Sequence, residues 1–135
     1  MAMLNFSTRF ASDVEAGIKR QTIRKRWKRP IRVGRRLILA TGARTKQYRR
    51  LSGPGKPVQW PVAKAVIRIK IEKWTYIAGM SGEQTLHRIE VDHRVLGSRQ
   101  SLELARNDGF ASIKEFIDWF EHLYGLPFRG VMIRW

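Results

Sequence analysis

Hydrophobic and polar positions follow two different periods along the chain. Ile67, Ile69 and Ile71 alternate with Arg68, Lys70 and Glu72. A period of two puts the isoleucines on one face and the charges on the other, and it predicts a strand over residues 62–74. Residues 3–10 alternate in part and predict a first strand. Leu37-Ile38-Leu39-Ala40-Thr41 is a short uncharged run, expected as a buried strand. Residues 86–95 read as a strand with a half-polar face, and residues 130–135 as a closing strand. The period becomes helical after Ser112. Ile113, Phe116, Ile117, Phe120 and Leu123 form one apolar stripe. Ser112 with Glu115 three positions on is a capping-box signature, and Gly125 is a stop. Two shorter helices are expected. One is capped by Ser12 and ended by Gly17, and the other covers 101–107 and stops at Gly109. Gln21–Arg24 is expected to be extended. Residues 25–36, broken by Pro30 and Gly34, and residues 42–61 are expected to be loops. The order β-α-β-β-β-α-α-β describes one α+β domain over 1–135. Its many strands suggest a curled sheet or small barrel with short helices packed at its edge.

Composition supports one folded domain. The 135 residues are 43% apolar and include five Trp and six Phe, enough to build a core. No apolar run reaches the roughly 20 residues needed to cross a bilayer. The start, Met1-Ala2-Met3-Leu4-Asn5-Phe6, lacks the pattern of a signal peptide. With no cysteine, disulfides and thiolate metal sites are excluded, which fits a cytoplasmic location. No cofactor is implied. His87 and His93 would lie about 20 Å apart on one strand face, too far to share a metal. No metal site is therefore expected, and His87, His93 and His122 read as surface residues. Asp118, Glu121 and Glu115 read as a solvated helix face, and Trp60, Trp74, Trp119 and Trp135 as core.

Charge changes the picture more. The net charge is +16, and it is segregated. Residues 1–71 hold 19 basic and 2 acidic residues, and residues 72–135 hold 8 basic and 9 acidic ones. No carboxylate lies between Glu15 and Glu72. Like charges repel in a compact state, so such a field points to a polyanionic partner. Membrane binding would call for a basic amphipathic helix, whereas these cations fall in Pro/Gly-punctuated segments. Arg24-Lys25-Arg26-Trp27-Lys28-Arg29 interleaves an indole with five cations. Arg44-Thr45-Lys46-Gln47-Tyr48-Arg49-Arg50 interleaves a phenol with four. Cations hold phosphates and aromatic faces stack bases, so both are candidate nucleic-acid contacts, with anchoring of the loops to the core as the alternative role of Trp27 and Tyr48. No helix carries a helix-turn-helix recognition pattern, which favours single-stranded or structured RNA over the DNA major groove.

Gly17-Ile18-Lys19-Arg20-Gln21-Thr22-Ile23-Arg24 gathers an ammonium, a hydroxyl and a planar guanidinium behind a helix stop. On a regular strand Thr22 and Arg24 would share a face and Lys19 the other, while a turn around Arg20 would bring Lys19 back. The arrangement Gly17-x-Lys19-x-x-Thr22-x-Arg24 resembles the signature of the ASCH domain, a relative of the PUA-like RNA-binding fold. Val33-Gly34-Arg35-Arg36-Leu37, Arg106-Asn107-Asp108-Gly109-Phe110 with its Phe/Trp-rich helix, and Gly130-Val131-Met132-Ile133-Arg134-Trp135 are similar to the family's later motifs. The resemblance implies a PUA-like curled β-barrel, a cleft lined by the Lys/Thr/Arg segment, and RNA or modified-nucleoside ligands. One branch of the family hydrolyses N4-acetylcytidine with a Lys, a Thr and a Glu. These carry over to Lys19, Thr22 and, one methylene shorter, Asp108. In that role Thr22 would be the nucleophile, Lys19 its base, and Asp108 the group that orients Lys19 or passes a proton. Three functions stay open: RNA binding through a basic cleft that includes Arg20, amidohydrolysis of N4-acetylcytidine, and metal-independent RNA cleavage using Lys19 and Tyr48.

Overall fold

A computed structural model describes residues 1–135. Its elements run β1 (Ala2–Phe6), α1 (Thr8–Glu15), β2 (Gln21–Lys25), β3 (Leu37–Thr41), β4 (Arg49–Arg50), β5 (Ala65–Ile77), β6 (Glu83–Val91), β7 (Arg94–Val95), α2 (Ser98–Asn107), α3 (Ile113–Tyr124) and β8 (Phe128–Arg134). The α+β class follows directly from this order.

The strands form two open sheets rather than one closed barrel. β1 and β4 flank β3, parallel and antiparallel respectively. The larger sheet is antiparallel, in the order β2-β8-β5-β6-β7. A bridge between Arg36 and Val62 joins the smaller sheet to the segment entering β5, helped by the Leu37 N–H donating to the Pro61 carbonyl at 2.9 Å. Both sheets and the three helices enclose one core. Ile69, Ile71 and Ile89 are buried on the large sheet, Leu4 and Leu39 on the small one, and Phe116, Ile117 and Phe120 on α3. Aromatic rings knit the helical side together: Phe110 lies edge-on to Phe10 and to Phe116, with centroids 5.5 and 5.6 Å apart.

Several boundaries differ from the sequence reading. The first strand ends at Phe6, and α1 starts at Thr8 rather than after Ser12. Phe10, Ala11 and Val14 form its buried face, and that helical spacing overrides the apparent alternation. The strand expected over 86–95 is instead split into β6, ending at Val91, and β7, because Asp92 and His93 both have positive φ and form a tight turn. His93 therefore does not share a strand face with His87. The presumed loop 42–61 contains β4, paired to β3. Two tryptophans assigned to the core are not there: Trp60 is 65% exposed, and Trp74 lies on β5 under the guanidinium of Arg88, 4.8 Å from its ring centroid. The α3 stripe is buried through Phe120, but Leu123 is 51% exposed. The acidic residues of α3 are ion-paired rather than merely solvated. Glu115 pairs with Arg9, Glu121 with Lys73, and Asp118 with Lys114. No helix is long and apolar enough to cross a membrane.

Candidate functional site

Lys19 and Asp108 meet because two helices end in the same way. At the end of α1, Gly17 has φ +79°. Its N–H donates to the Val14 carbonyl at 3.1 Å, and the Ile18 N–H donates to the Asp13 carbonyl at 2.9 Å. This is a Schellman stop, which needs a left-handed residue and so favours glycine. The Lys19 N–H also donates to the Asp13 carbonyl, at 3.0 Å. The end of α2 repeats the device. Gly109 has φ +97°, its N–H donates to Arg106, and the Phe110 N–H donates to Ala105. The two reversals bring Lys19 and Asp108 together, both almost fully buried, at 3% and 4% exposure.

The Lys19 ammonium donates to the Asp108 backbone carbonyl at 2.5 Å and to its Oδ1 at 3.3 Å. It therefore caps the negative end of α2 as well as neutralising the carboxylate. Gln21 Nε2 donates to the same Oδ1 at 3.3 Å. Burial pushes the Asp108 carboxyl up to about 6, against the opposing pull of Lys19, Gln21 and Arg24. Burial also holds Lys19 below the usual lysine range, opposed by Asp108 and reinforced by the Arg24 cation.

β2 carries the next two groups. Thr22 is buried and pairs across to Ile133 of β8, and Arg24 pairs to Val131. Arg24 Nε donates to Thr22 Oγ1 at 3.0 Å, and its Nη2 donates to the Asn5 carbonyl at 2.6 Å. Its guanidinium lies 4.9 Å from the Phe6 ring centroid. The Thr22 oxygen is thus held by a cation, and its own proton remains free to donate.

Lys19, Thr22, Arg24 and Asp108 line one cavity of about 150 Å³ with Phe6, Phe10, Trp119, Leu123 and Tyr124. Leu123 forms part of the wall of this cavity instead of the core. A turn before β2 does bring Lys19 to the same cavity as Thr22 and Arg24, and Asp108 is long enough to reach Lys19. The volume is below the roughly 300–1,000 Å³ of common small-molecule sites. It suits a single planar group, with the rest of a ligand left outside. A larger groove of about 460 Å³ lies between β5–β6 and α3, lined by Trp74, Leu86, Val95, Ile113 and Ile117. Its lining is largely apolar, with Lys114 and Asp118 paired to each other, whereas the smaller cavity gathers the buried polar groups Lys19, Thr22 and Asp108.

The basic segments divide into two kinds. Lys25, Arg26, Trp27, Lys28 and Arg29 are exposed, as are Arg44, Lys46 and Tyr48, and none of their side chains has an internal hydrogen-bond or ion-pair partner. Trp27 and Tyr48 are half-exposed rather than anchored in the core. Others of the expected contacts are spent internally. Arg20 Nε donates to the Gly17 carbonyl, Arg49 pairs with Glu15, and Arg50 Nε donates to the Ser52 carbonyl.

Sequence reasoning missed Gln21, Phe6, Phe10 and Tyr124. Gln21 carries a weak signal, as a polar residue beside Thr22 on a buried strand. The aromatic wall carries none, because its members come from β1, α1 and α3. Compared with family models, with curated proteins and with solved structures, the chain matches none.

Proposed function

We propose that this chain is an ASCH-type, PUA-like module that binds RNA, with one unpaired base entering the Lys19–Asp108 cavity and cationic segments holding the backbone outside. The observation that carries this reading is the junction of two features. A small cavity combines aromatic walls with convergent polar groups, and β2 leads from its Arg24 straight into the exposed, unpaired run Lys25–Arg29. Aromatic faces stack any base, and the ammonium, guanidinium, hydroxyl and carboxyl groups supply donors and acceptors for its edge. The bridge between Arg36 and Val62 supports the curled, PUA-like arrangement by tying the segment before β3 to the segment before β5.

Fluorescence anisotropy of a labelled oligouridine strand tests it. Affinity is expected to fall steeply as salt rises, because phosphate contacts release counterions. Thr22→Val, which keeps the shape and loses the hydroxyl, is expected to weaken binding about fivefold, the worth of roughly 1 kcal/mol. A flat salt response overturns the reading.

The Lys19–Asp108 contact favours a second reading, amidohydrolysis of N4-acetylcytidine. Thr22 Oγ would attack the acetyl carbonyl while Lys19, in its neutral form, takes the hydroxyl proton. That proton would pass to the departing cytosine amine, and water would then release acetate from the acyl-threonine. Arg24 Nε, already on Thr22 Oγ1 at 3.0 Å, would stabilise the alkoxide. Lys19→Ala and Thr22→Ala are each expected to abolish acetate release, and an inert wild-type protein removes this reading. For the ribonuclease reading, Tyr48 is not among the residues that line the cavity with Lys19.

A further inference from the structure

We infer a second anion site, a phosphodiester-binding groove on the outer face of the large sheet; it rests on the RNA reading above. The groove has a volume of about 210 Å³ and is lined by Arg26, Arg68, Lys70, Glu90, His93 and Arg129. Strand register explains the cluster. Lys70 of β5 sits directly opposite Arg129 of β8. Arg68 is two residues back along β5 on the same face. Lys70 is offset within the chain, since it sits opposite Glu90 of β6 and pairs with Glu72, so the cations left to be satisfied are the arginines.

Glu72 is engaged by Lys70 and Arg88, and Glu90 by Arg88 at 3.5 Å, and neither pairs with the three arginines of the groove. Arg26, Arg68 and Arg129 are exposed, and their guanidinium groups make no ion pair and no hydrogen bond within the chain. Three forked donors thus line one concave surface, whose lining carboxylate, Glu90, is paired with Arg88 instead. Guanidinium groups match phosphate oxygens in pairs, which makes a phosphodiester the fitting ligand. The Asp92–His93 turn, with φ +52° and +64° and the Asp92 N–H bound to the Arg68 carbonyl at 3.0 Å, holds His93 at one side of the groove.

β2 leads from the cavity toward the groove. Arg24 lines the cavity, and Arg26, two residues on, lines the groove. A single RNA strand with one base in the cavity would therefore lay its neighbouring phosphates across Arg26, Arg68 and Arg129.

The test measures oligouridine affinity against salt for the full chain. Arg68→Gln/Arg129→Gln removes two exposed side chains that nothing else depends on. It is expected to reduce the steepness of log K against log salt by about 1.4, at roughly 0.7 for each phosphate neutralised on a single strand. Arg26→Gln alone is expected to reduce it by about 0.7. Lys64→Gln/Arg99→Gln, with the same net charge and both sites outside the groove, is expected to leave the slope unchanged. If wild type binds with a steep slope and the groove variants keep it, the groove is refuted and the RNA reading stands. An equal reduction in the control refutes the groove as well, by showing a bulk charge effect. Absence of wild-type binding overturns both.

Discussion

Asp108 shows how a buried carboxylate can be kept without being fully stabilised. Its pKa of about 6 lies above the ordinary value of 3.8, because desolvation outweighs the help of Lys19 and Gln21. Folding thus favours the protonated form. The stability this group contributes is complete below about pH 4 and is lost as the pH rises through about 6. Urea unfolding between these limits should show wild type losing stability relative to Asp108→Asn, which stays neutral throughout. Parallel pH profiles for the two proteins would contradict the assignment. Lys19→Met tests the other partner. It leaves a buried carboxyl without its cation and is expected to cost about 3–5 kcal/mol near neutral pH, less at pH 4 where Asp108 is neutral. Gly109 completes the pair's surroundings. A Cβ there would lie 2.9 Å from Phe10 Cδ1, in a left-handed backbone that side chains rarely adopt. Gly109→Ala is expected to destabilise by about 2–4 kcal/mol, from strain and overpacking together, read from the urea midpoint. The placement of Lys19 and Thr22 in one cavity was legible from the Gly17-x-Lys19-x-x-Thr22 spacing with a turn around Arg20, but that of Gln21 was not. Its side-chain partners, Leu104, Asp108 and Arg134, all lie more than 80 residues away.

Caps and stops account for the helices better than hydrophobic pattern alone. The α3 start was readable because Ser112 Oγ accepts from the Glu115 N–H at 3.1 Å, a bond made within four residues. The α1 start was not. Ser7 occupies the cap position without a side-chain bond, and Ser12 lies inside the helix. The contrast is measurable. Ser112→Ala is expected to cost about 1 kcal/mol, whereas Ser7→Ala is expected to change stability by less than about 0.5 kcal/mol. Equal effects on thermal unfolding would refute this account of the caps. The β6 boundary was missed for a related reason. Asp92 and His93 adopt left-handed conformations without a glycine to announce the turn. β5 was legible in its middle, where Ile69 and Ile71 are buried, and not at its far end. There the β5–β6 ribbon runs past β8 and leaves Trp74, Tyr76, Ile77 and Leu86 exposed.

Across the molecule, segregated charge sets two opposite salt responses. The net charge of +16 repels itself in the folded state. Raising salt from about 20 to about 300 mM screens that repulsion and is expected to raise the melting temperature, while RNA affinity falls over the same range. A melting temperature that drops with salt would mean that surface ion pairs such as Arg9–Glu115 outweigh the repulsion. The α+β class, the placement of the long central strand and the segregation of charge all come from patterns spanning a few residues or from simple composition, and these were readable along the chain. Helix and strand periods, caps and glycine stops act locally, so they survive in one dimension. The arrangement of the strands into two open sheets, the aromatic wall of the cavity, and the exposure of Trp60 and Leu123 were decided by packing. So were the meeting of Lys19 with Asp108 across 89 residues and the gathering of Arg26, Arg68 and Arg129 from three parts of the chain. Each depends on which distant surfaces exclude water from one another, and that free energy belongs to the folded pair of surfaces rather than to either segment.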